Sequence, residues 1–562
     1  MTLKSLRITT ALSTLTAALF LTACGGGSSS SPTPTPTPTP TPPVSTAPTF
    51  TQGSFRPEGD FKDKCETPRT GSSAVTGVAF PDTAGSTLEE NFWLRSWSNN
   101  TYLWYDEITD VDPGADSDRL VYFDKLKTFA KTASGKDKDE FHFTQDTAAF
   151  EQSRAGGASV SYGAQYRFIS TSPPRKLIIA FTIPGSGAAT SVGNELYRGT
   201  EILEIDGVDV VNGSDVDTLN NGLFPRTEGE THTFKVQDVG STDTRTITLT
   251  AEAVTPKPVN TTNVITAENG DKVGYVHLTT FSSVITQDAL FDAMTEMQDA
   301  GVKDLVLDLR YNGGGLLAIA GQLGYMIAGD AQTEGKIFDK IVFNDKHPTV
   351  NPVTGRTLEP IPFYKTTLRF SDDAPASKAL PTVAVPRVFI LSTSNTCSAS
   401  ESVINGLRGA DVEVILIGGR TCGKPYGFYS TDNCGVTYST IQLGAKNNKE
   451  FGEYADGFLP DNSSEAFGVK IKGCELEDDF TKALGDETET LLSAALTYQQ
   501  TGSCPTAPKP VAKGFSNSST SPVLNADPSQ DLLSDPRIKA KFMMEQNAFL
   551  NAGIYRQTPV ED

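Results

Sequence analysis

Residues 305–309 form an apolar run that reads as a strand buried on both faces, and it passes directly into Arg310-Tyr311-Asn312-Gly313-Gly314-Gly315 before a helical pattern begins. The same order surrounds it. A strand over 273–278 precedes an amphipathic helix over 287–299, and a strand over 388–391 precedes a helix over 398–407 and a strand over 412–417. Strands that alternate with helices need crossover connections, so residues 256–505 are expected to build an α/β core around a largely parallel sheet. In such a sheet the chemistry belongs at the turns that follow the strands.

Upstream the period changes. Between residues 156 and 255, short runs at 166–169, 177–183, 201–205 and 246–249 are separated by Gly, Pro and Asp turns, which predicts a small β-rich domain. Residues 60–155 read as a helical N-terminal region. Thr87 and Glu90 have capping-box spacing there, and Phe92, Trp93 and Trp97 continue at helical intervals. The aromatic residues Tyr102, Trp104, Tyr105, Phe123, Phe129 and Phe141 are read as packed core. Asp110, Asp112, Asp116 and Asp118 have the look of a calcium loop, but Pro113 interrupts it and Val121 stands where a bidentate Glu would close it, so a solvated acidic loop is expected.

Both ends of the chain differ in composition from this folded part. Lys4 and Arg7 precede an apolar stretch over 8–20 and then Leu21-Thr22-Ala23-Cys24, the order of a secretory signal in residues 1–24. Residues 25–59 read as a linker. Its 25–31 portion is only Gly and Ser, and a Pro-Thr repeat over 32–43 in polyproline II would extend roughly 37 Å. Residues 506–562 are a polar segment in which Asp535-Pro536 reads as the start of a last helix. Export would place Cys65, Cys397, Cys422, Cys434, Cys474 and Cys504 in an oxidising compartment, and six cysteines allow 15 pairings.

Charge and motifs exclude several functions. Lys plus Arg number 47 against 68 Asp plus Glu, a net charge of −21, which argues against a phosphate-tracking surface and a nucleic-acid partner. There is no His-Glu-x-x-His, no phosphate-binding glycine loop and no Gly-x-Ser-x-Gly, and the histidines are four: His142, His232, His277 and His347. No metal or cofactor is expected. Ser394-Asn395-Thr396-Cys397-Ser398-Ala399-Ser400-Glu401, by contrast, lies between a strand and a helix, where free first-turn amides favour developing negative charge. Ser398 and Glu401 also have capping-box spacing, so a purely structural serine fits the same pattern. After the next strand comes Gly418-Gly419-Arg420-Thr421-Cys422-Gly423-Lys424. A lysine with an ordinary pKa near 10.4 keeps its proton at neutral pH, so it becomes a base only if burial lowers that value.

Taken together, Val306-Leu307-Asp308-Leu309-Arg310-Tyr311-Asn312-Gly313-Gly314-Gly315, Ser398-Ala399-Ser400-Glu401, Thr421-Cys422-Gly423-Lys424 and Gly457-Phe458-Leu459-Pro460-Asp461 resemble the C-terminal processing (tail-specific) serine peptidases. The order of helical region, β-rich domain and core matches over about residues 85–500. The resemblance implies a ClpP/crotonase-like core, Ser398 as nucleophile, Lys424 as general base, and an oxyanion site from the backbone N–H groups of Ala399 and Gly314, with Gly315 as the alternative to Gly314. Residues 161–166, 184–189 and 198–207 resemble a PDZ domain, which implies capture of a peptide by strand addition with Tyr162, Gly163, Ala164 and Gln165 as the peptide-binding loop. Leu21-Thr22-Ala23-Cys24 resembles a bacterial lipobox, which implies lipidation of Cys24 and a membrane-anchored protein of the cell envelope, sorted to the outer membrane. The partners implied are exported or misfolded polypeptides.

The chain departs from the family at two places. Where many relatives carry a Gln four residues after the lysine, it has Phe428, and Cys397 and Cys422 stand beside the two candidate catalytic residues. A disulfide involving either would brace the site, and Cys422 with Cys434 is another possible pair. The alternative function is a non-catalytic peptide- or apolar-ligand-binding protein on the same scaffold.

Overall fold

The computed structural model describes residues 47–505, apart from 149, 152–157, 172, 283 and 371–374. The expected signal with Cys24, the Pro-Thr spacer and the helix near Asp535 lie outside the described residues.

In the N-terminal region α1 (Thr87–Thr101) is capped by Ser86, whose hydroxyl accepts the Glu89 N–H at 3.3 Å. The cap therefore falls one residue before the one expected from Thr87 and Glu90. Extended backbone at Ser86 aims its side chain at the first turn, and Glu90 turns inward to pair with Arg119 and accept the Glu66 N–H. Trp93 and Trp97 stack with centroids 5.2 Å apart, and Trp93 also meets Tyr438 edge-on. Part of the expected linker is structured. The Arg95 guanidinium donates to the carbonyls of Thr51 and Ser54 and lies over the rings of Phe50 and Phe55. The acidic loop is structural: Asp110 pairs with Arg95, Asp116 with Lys125, and Asp112 and Asp118 accept the N–H groups of Gly114 and Leu120. Of the aromatic residues read as core, Phe129 is instead exposed. The region ends in β1 (Phe143–Asp146), which pairs antiparallel with Val436–Ser439 and so ties it to the far end of the core.

The β-rich segment contains β2 (Ala164–Ser170), β3 (Lys176–Thr182), β4 (Glu201–Ile205), α2 (Val216–Leu223), β5 (Thr231–Gln237) and β6 (Thr244–Thr250). Its strands lie antiparallel in the order β6-β5-β4-β3-β2, which leaves β2 at an edge. Alternation does the folding here. Ile247 and Leu249 of β6 point inward with Phe234 and Val236 of β5, while their neighbours along each strand face outward.

The core runs through β7 (Val259–Thr266), β8 (Lys272–Leu278), α3 (Val284–Ala300), β9 (Asp304–Asp308), α4 (Leu317–Thr333), β10 (Ile337–Phe343), β11 (Arg387–Ser392), α5 (Ala399–Gly409), β12 (Glu413–Gly418), β13 (Leu443–Lys446), β14 (Gly473–Glu475) and α6 (Thr490–Thr501). Its main sheet has the order β7-β8-β9-β11-β12-β14, antiparallel at β7-β8 and parallel elsewhere. Leu305, Leu307, Val388, Ile390, Val414 and Leu416 pack on one face with residues of α3, α4 and α5. Val306, Phe389, Leu391, Ile415 and Ile417 pack on the other with Leu491, Leu492 and Ala495 of α6. Both faces are dry, which is why these strands read as unbroken apolar runs. The register places Leu307 beside Ile390 and Leu391 beside Ile417, so the turns leaving β9, β11 and β12 emerge side by side. A second sheet pairs β10 with β13, and β13 with Tyr426–Gly427. Among the described residues no helix is long and apolar enough to cross a membrane.

Candidate active site

The turn after β9 is tethered at its root. Arg310 is fully buried and donates to Asp308, Asp478 and Glu489, a cation surrounded by carboxylates that hold its proton. Asn312 holds the glycines: its amide donates to the Leu278 carbonyl, its side-chain oxygen accepts the Gly314 N–H at 2.9 Å, and its carbonyl accepts from Cys397 N–H and the Ser400 hydroxyl. Gly314 has φ 108°, and a Cβ there would come within 2.9 Å of Ala399 N, Cys397 O and Ser398 Cβ. Only glycine lets the two turns touch this closely. The Gly314 amide expected to face an oxyanion thus donates to Asn312 within its own turn, and it is Gly315 that lines the cavity beside Ser398.

Ser398 stands at the entrance to α5 with φ 54° and ψ −113°. A non-glycine residue held there is strained, and the strain projects a side chain from a sharp strand-to-helix turn. The turn after β12 then brings Lys424 to the same small cavity, which is lined by Gly315, Leu317, Ser398, Ser402 and Lys424 among others.

Glu401 joins these two turns. Its carboxylate accepts the backbone N–H of Ser398 at 3.0 Å, of Gly423 at 2.8 Å and of Lys424 at 2.8 Å, and the Thr421 hydroxyl at 2.6 Å. Burial pushes the Glu401 carboxyl up, against those donors. A Cys397–Cys422 disulfide spans the same gap, with Cα atoms 5.3 Å apart, and the other pairs are Cys65–Cys434 and Cys474–Cys504. Cys397, Cys422 and Glu401 also have metal-ligand spacing, but both sulfurs are committed to the disulfide.

The Lys424 side chain is 1% exposed, and its Nζ has no hydrogen-bond partner among the described residues. It lies 4.5 Å from the centroid of the Phe141 ring and 4.7 Å from that of Phe428. Burial holds its pKa well below the ordinary lysine value, opposed by the charges of Asp139 and Glu401. No histidine lines this cavity. His277 is buried between Phe181 and Tyr311 with its pKa lowered to about 4, and His142 is bonded to Thr440 and the Phe123 carbonyl.

A buried lysine amine, a strained serine and a glycine turn at adjacent strand ends all fall within residues 272–428, the segment matched by the family model Peptidase family S41. In that segment the chain is similar to the S41 peptidases. The carboxyl-terminal-processing protease of Picosynechococcus sp. is 24% identical over 319 residues, 55% of this chain and 66% of the relative. The chloroplastic C-terminal processing peptidase of Tetradesmus obliquus is 33% identical over 149 residues, 25% of this chain and 31% of the relative. The chain thus spans just under two thirds of the first relative's length and about a third of the second's. Among solved structures, an S41 protease from Bacteroides fragilis aligns with TM-score 0.53 at 22% identity, covering 73% of this chain and 97% of that one, a likeness of fold.

The α/β core is covered beside Lys424 by the N-terminal region, which supplies Phe141, and it contacts the β-rich segment through Arg198, whose guanidinium donates to the Tyr311 hydroxyl and pairs with Asp478. In that segment the Tyr162 ring is buried against Phe234 and its hydroxyl donates to the Gly222 carbonyl. Gly163 turns at φ 78°, and Ala164 and Gln165 open the edge strand β2. Sequence reading missed Phe141 and Glu401 as parts of the site. The capping-box spacing was the available signal for Glu401, while Phe141 has none, because it is brought in from 283 residues upstream of Lys424.

Proposed function

We propose that this protein is a serine endopeptidase of the bacterial cell envelope in which Ser398 is the nucleophile and Lys424 the general base. The observation that carries the reading is the Lys424 amine, buried between two aromatic faces with no carboxylate bonded to it, in one cavity with Ser398. Burial holds the pKa of this amine well below the ordinary lysine value, so it gives up its proton more readily than an exposed lysine and is then free to take one. The Ser398 Oγ–H proton passes to Lys424 Nζ as Oγ attacks the scissile carbonyl carbon. The tetrahedral oxyanion is held by the N–H groups of Ala399 and Gly315, the latter replacing Gly314, at roughly 3 kcal/mol per donor. Lys424 then returns the proton to the leaving amine, and water, deprotonated by the same lysine, releases the acyl group.

Phe428 supports this reading rather than weakening it. Where relatives use a Gln, an aromatic face holds a cation or an amine by its stem and keeps water from it. The β-rich segment is proposed as a PDZ-like domain that captures a substrate's C-terminal end along the edge of β2, beside Tyr166 and Phe224, with the 162–165 loop at the peptide carboxylate. Cys24 is proposed as the lipid-bearing residue that anchors the chain, with the Pro-Thr spacer carrying the enzyme off the membrane.

The test is cleavage of an unfolded protein such as casein by the purified full chain, compared with Ser398→Ala and Lys424→Ala of equal folding by circular dichroism. Cleavage lost in both variants supports the dyad. Cleavage retained in either rejects it.

A further inference from the structure

Lys424 poses a question that its aromatic neighbours leave open. A neutral amine acts as a base through one lone pair, and that lone pair points at Ser398 only if the two N–H bonds are directed elsewhere. Rings hold the side chain by its faces but accept N–H bonds weakly and fix no rotation.

One hydroxyl in the cavity is placed for the task. Ser402 lies in the first turn of α5, four residues after Ser398, and it lines the cavity with Ser398 and Lys424 while being 4% exposed. Behind it stand two buried polar groups that the proposed chemistry does not use. Asp339 of β10 is 2% exposed and its Oδ1 has no hydrogen-bond partner, and the Tyr454 hydroxyl is buried and equally unpartnered. The Ser402 hydroxyl is beside both. A buried carboxylate with an empty oxygen is costly to keep, and an apolar residue at that position would pack without the cost.

We propose that Ser402, oriented by Asp339, is the positioning residue for the Lys424 amine. The Ser402 hydroxyl donates a hydrogen bond to Asp339 and presents its lone pairs to a Lys424 N–H, which turns the amine's own lone pair toward Ser398 Oγ. No bond is made or broken in this arrangement. Burial raises the Asp339 carboxyl to about 7, and the N–H groups of Lys340 and Lys446 and the Ser402 hydroxyl keep it from rising further. The charged and titratable groups on the elements packed against β10 are Glu401 and Arg408 on α5, Tyr325 and Asp330 on α4, Lys446 on β13, and Tyr454.

The proposal rests on the Ser398/Lys424 reading above, and the experiment separates the two. Labelling of Ser398 by a fluorophosphonate and cleavage of casein are followed from pH 5 to 10 in wild type, Ser398→Ala, Lys424→Ala, Ser402→Ala, Ser402→Thr and Asp339→Asn of the full chain. Ser402→Ala is expected to lower the maximal rate about 10- to 100-fold with KM within about twofold. Its acid limb should move to lower pH, because an acceptor that favours the charged amine is gone. Ser402→Thr, which keeps the hydroxyl, should restore most of the rate, and Asp339→Asn should show a smaller loss with the limb moved the same way. An unmoved limb and an unchanged maximal rate in Ser402→Ala overturn the proposal. If Ser402→Ala does not fold, a Ser402→Thr rate near wild type with Asp339→Asn unchanged in rate and limb overturns it equally. Wild-type behaviour in Lys424→Ala would instead reject the dyad itself.

Discussion

The Glu401 carboxylate accepts the backbone N–H of Lys424 at 2.8 Å and that of Ser398, three residues before it at the helix entrance, at 3.0 Å. One side chain therefore sets the spacing of two turns that leave different strands. Glu401→Ala leaves the N–H groups of Ser398, Gly423 and Lys424 and the Thr421 hydroxyl without their acceptor, and should cost at least about 3 kcal/mol in denaturant unfolding. Glu401→Gln should lose less stability but still lower the cleavage rate more than tenfold, since an amide offers one acceptor oxygen where the carboxylate offers two.

Phe428 keeps water from the Lys424 amine, so Phe428→Ala should let the amine regain part of its ordinary basicity. In the proposed mechanism the active form is the neutral amine, so a raised pKa would move the acid limb of kcat/KM to higher pH. The pH–rate profile on casein checks this, and a limb that stays in place would mean that Phe141 alone provides the shielding.

Burial of Lys424 opposes folding at neutral pH. Its folded pKa is lowered below that of the unfolded chain, so between the lowered value and about 10.4 the unfolded state binds more protons and stability rises with pH. Lys424→Met removes that opposition while keeping the stem. This variant should be more stable than wild type at pH 7 in urea, and the difference should shrink toward pH 10.

The Cys397–Cys422 bridge closes a 25-residue separation across the site, and a loop of that size is worth about 3.5 kcal/mol. Cys397→Ala/Cys422→Ala should therefore unfold at lower denaturant, and its cleavage rate should fall although neither sulfur takes part in the reaction. A Cys65→Ala/Cys434→Ala variant, whose bridge joins the N-terminal region to the core, serves as the comparison for loss of stability alone.

How much of this was legible in the chain depends on the range of the forces involved. The strands of the core announced themselves because burial on both faces demands unbroken apolar runs, and the turns after them because Gly314 and Gly423, at φ 108° and 85°, hold backbone that side chains avoid. Helix limits were placed within a few residues. The cap of α1 was misplaced because Ser86, Thr87, Glu89 and Glu90 offer two registers, and tertiary contacts of Glu90 with Arg119 and Glu66 select one.

Local sequence thus determined the α/β order of the core, the β-rich segment before it, and the Ser398 and Lys424 turns, since period, turn chemistry and motif spacing act over a few residues. Tertiary structure decided the rest. It chose Cys422 as the partner of Cys397, set the Gly314 turn against the Ser398 turn, and brought Phe141 against Lys424 from far upstream in the folded chain. These are contacts between residues far apart in sequence, and no local preference encodes them. They form only when the parallel register of β9, β11 and β12 aligns the strand ends and the surrounding elements close over them.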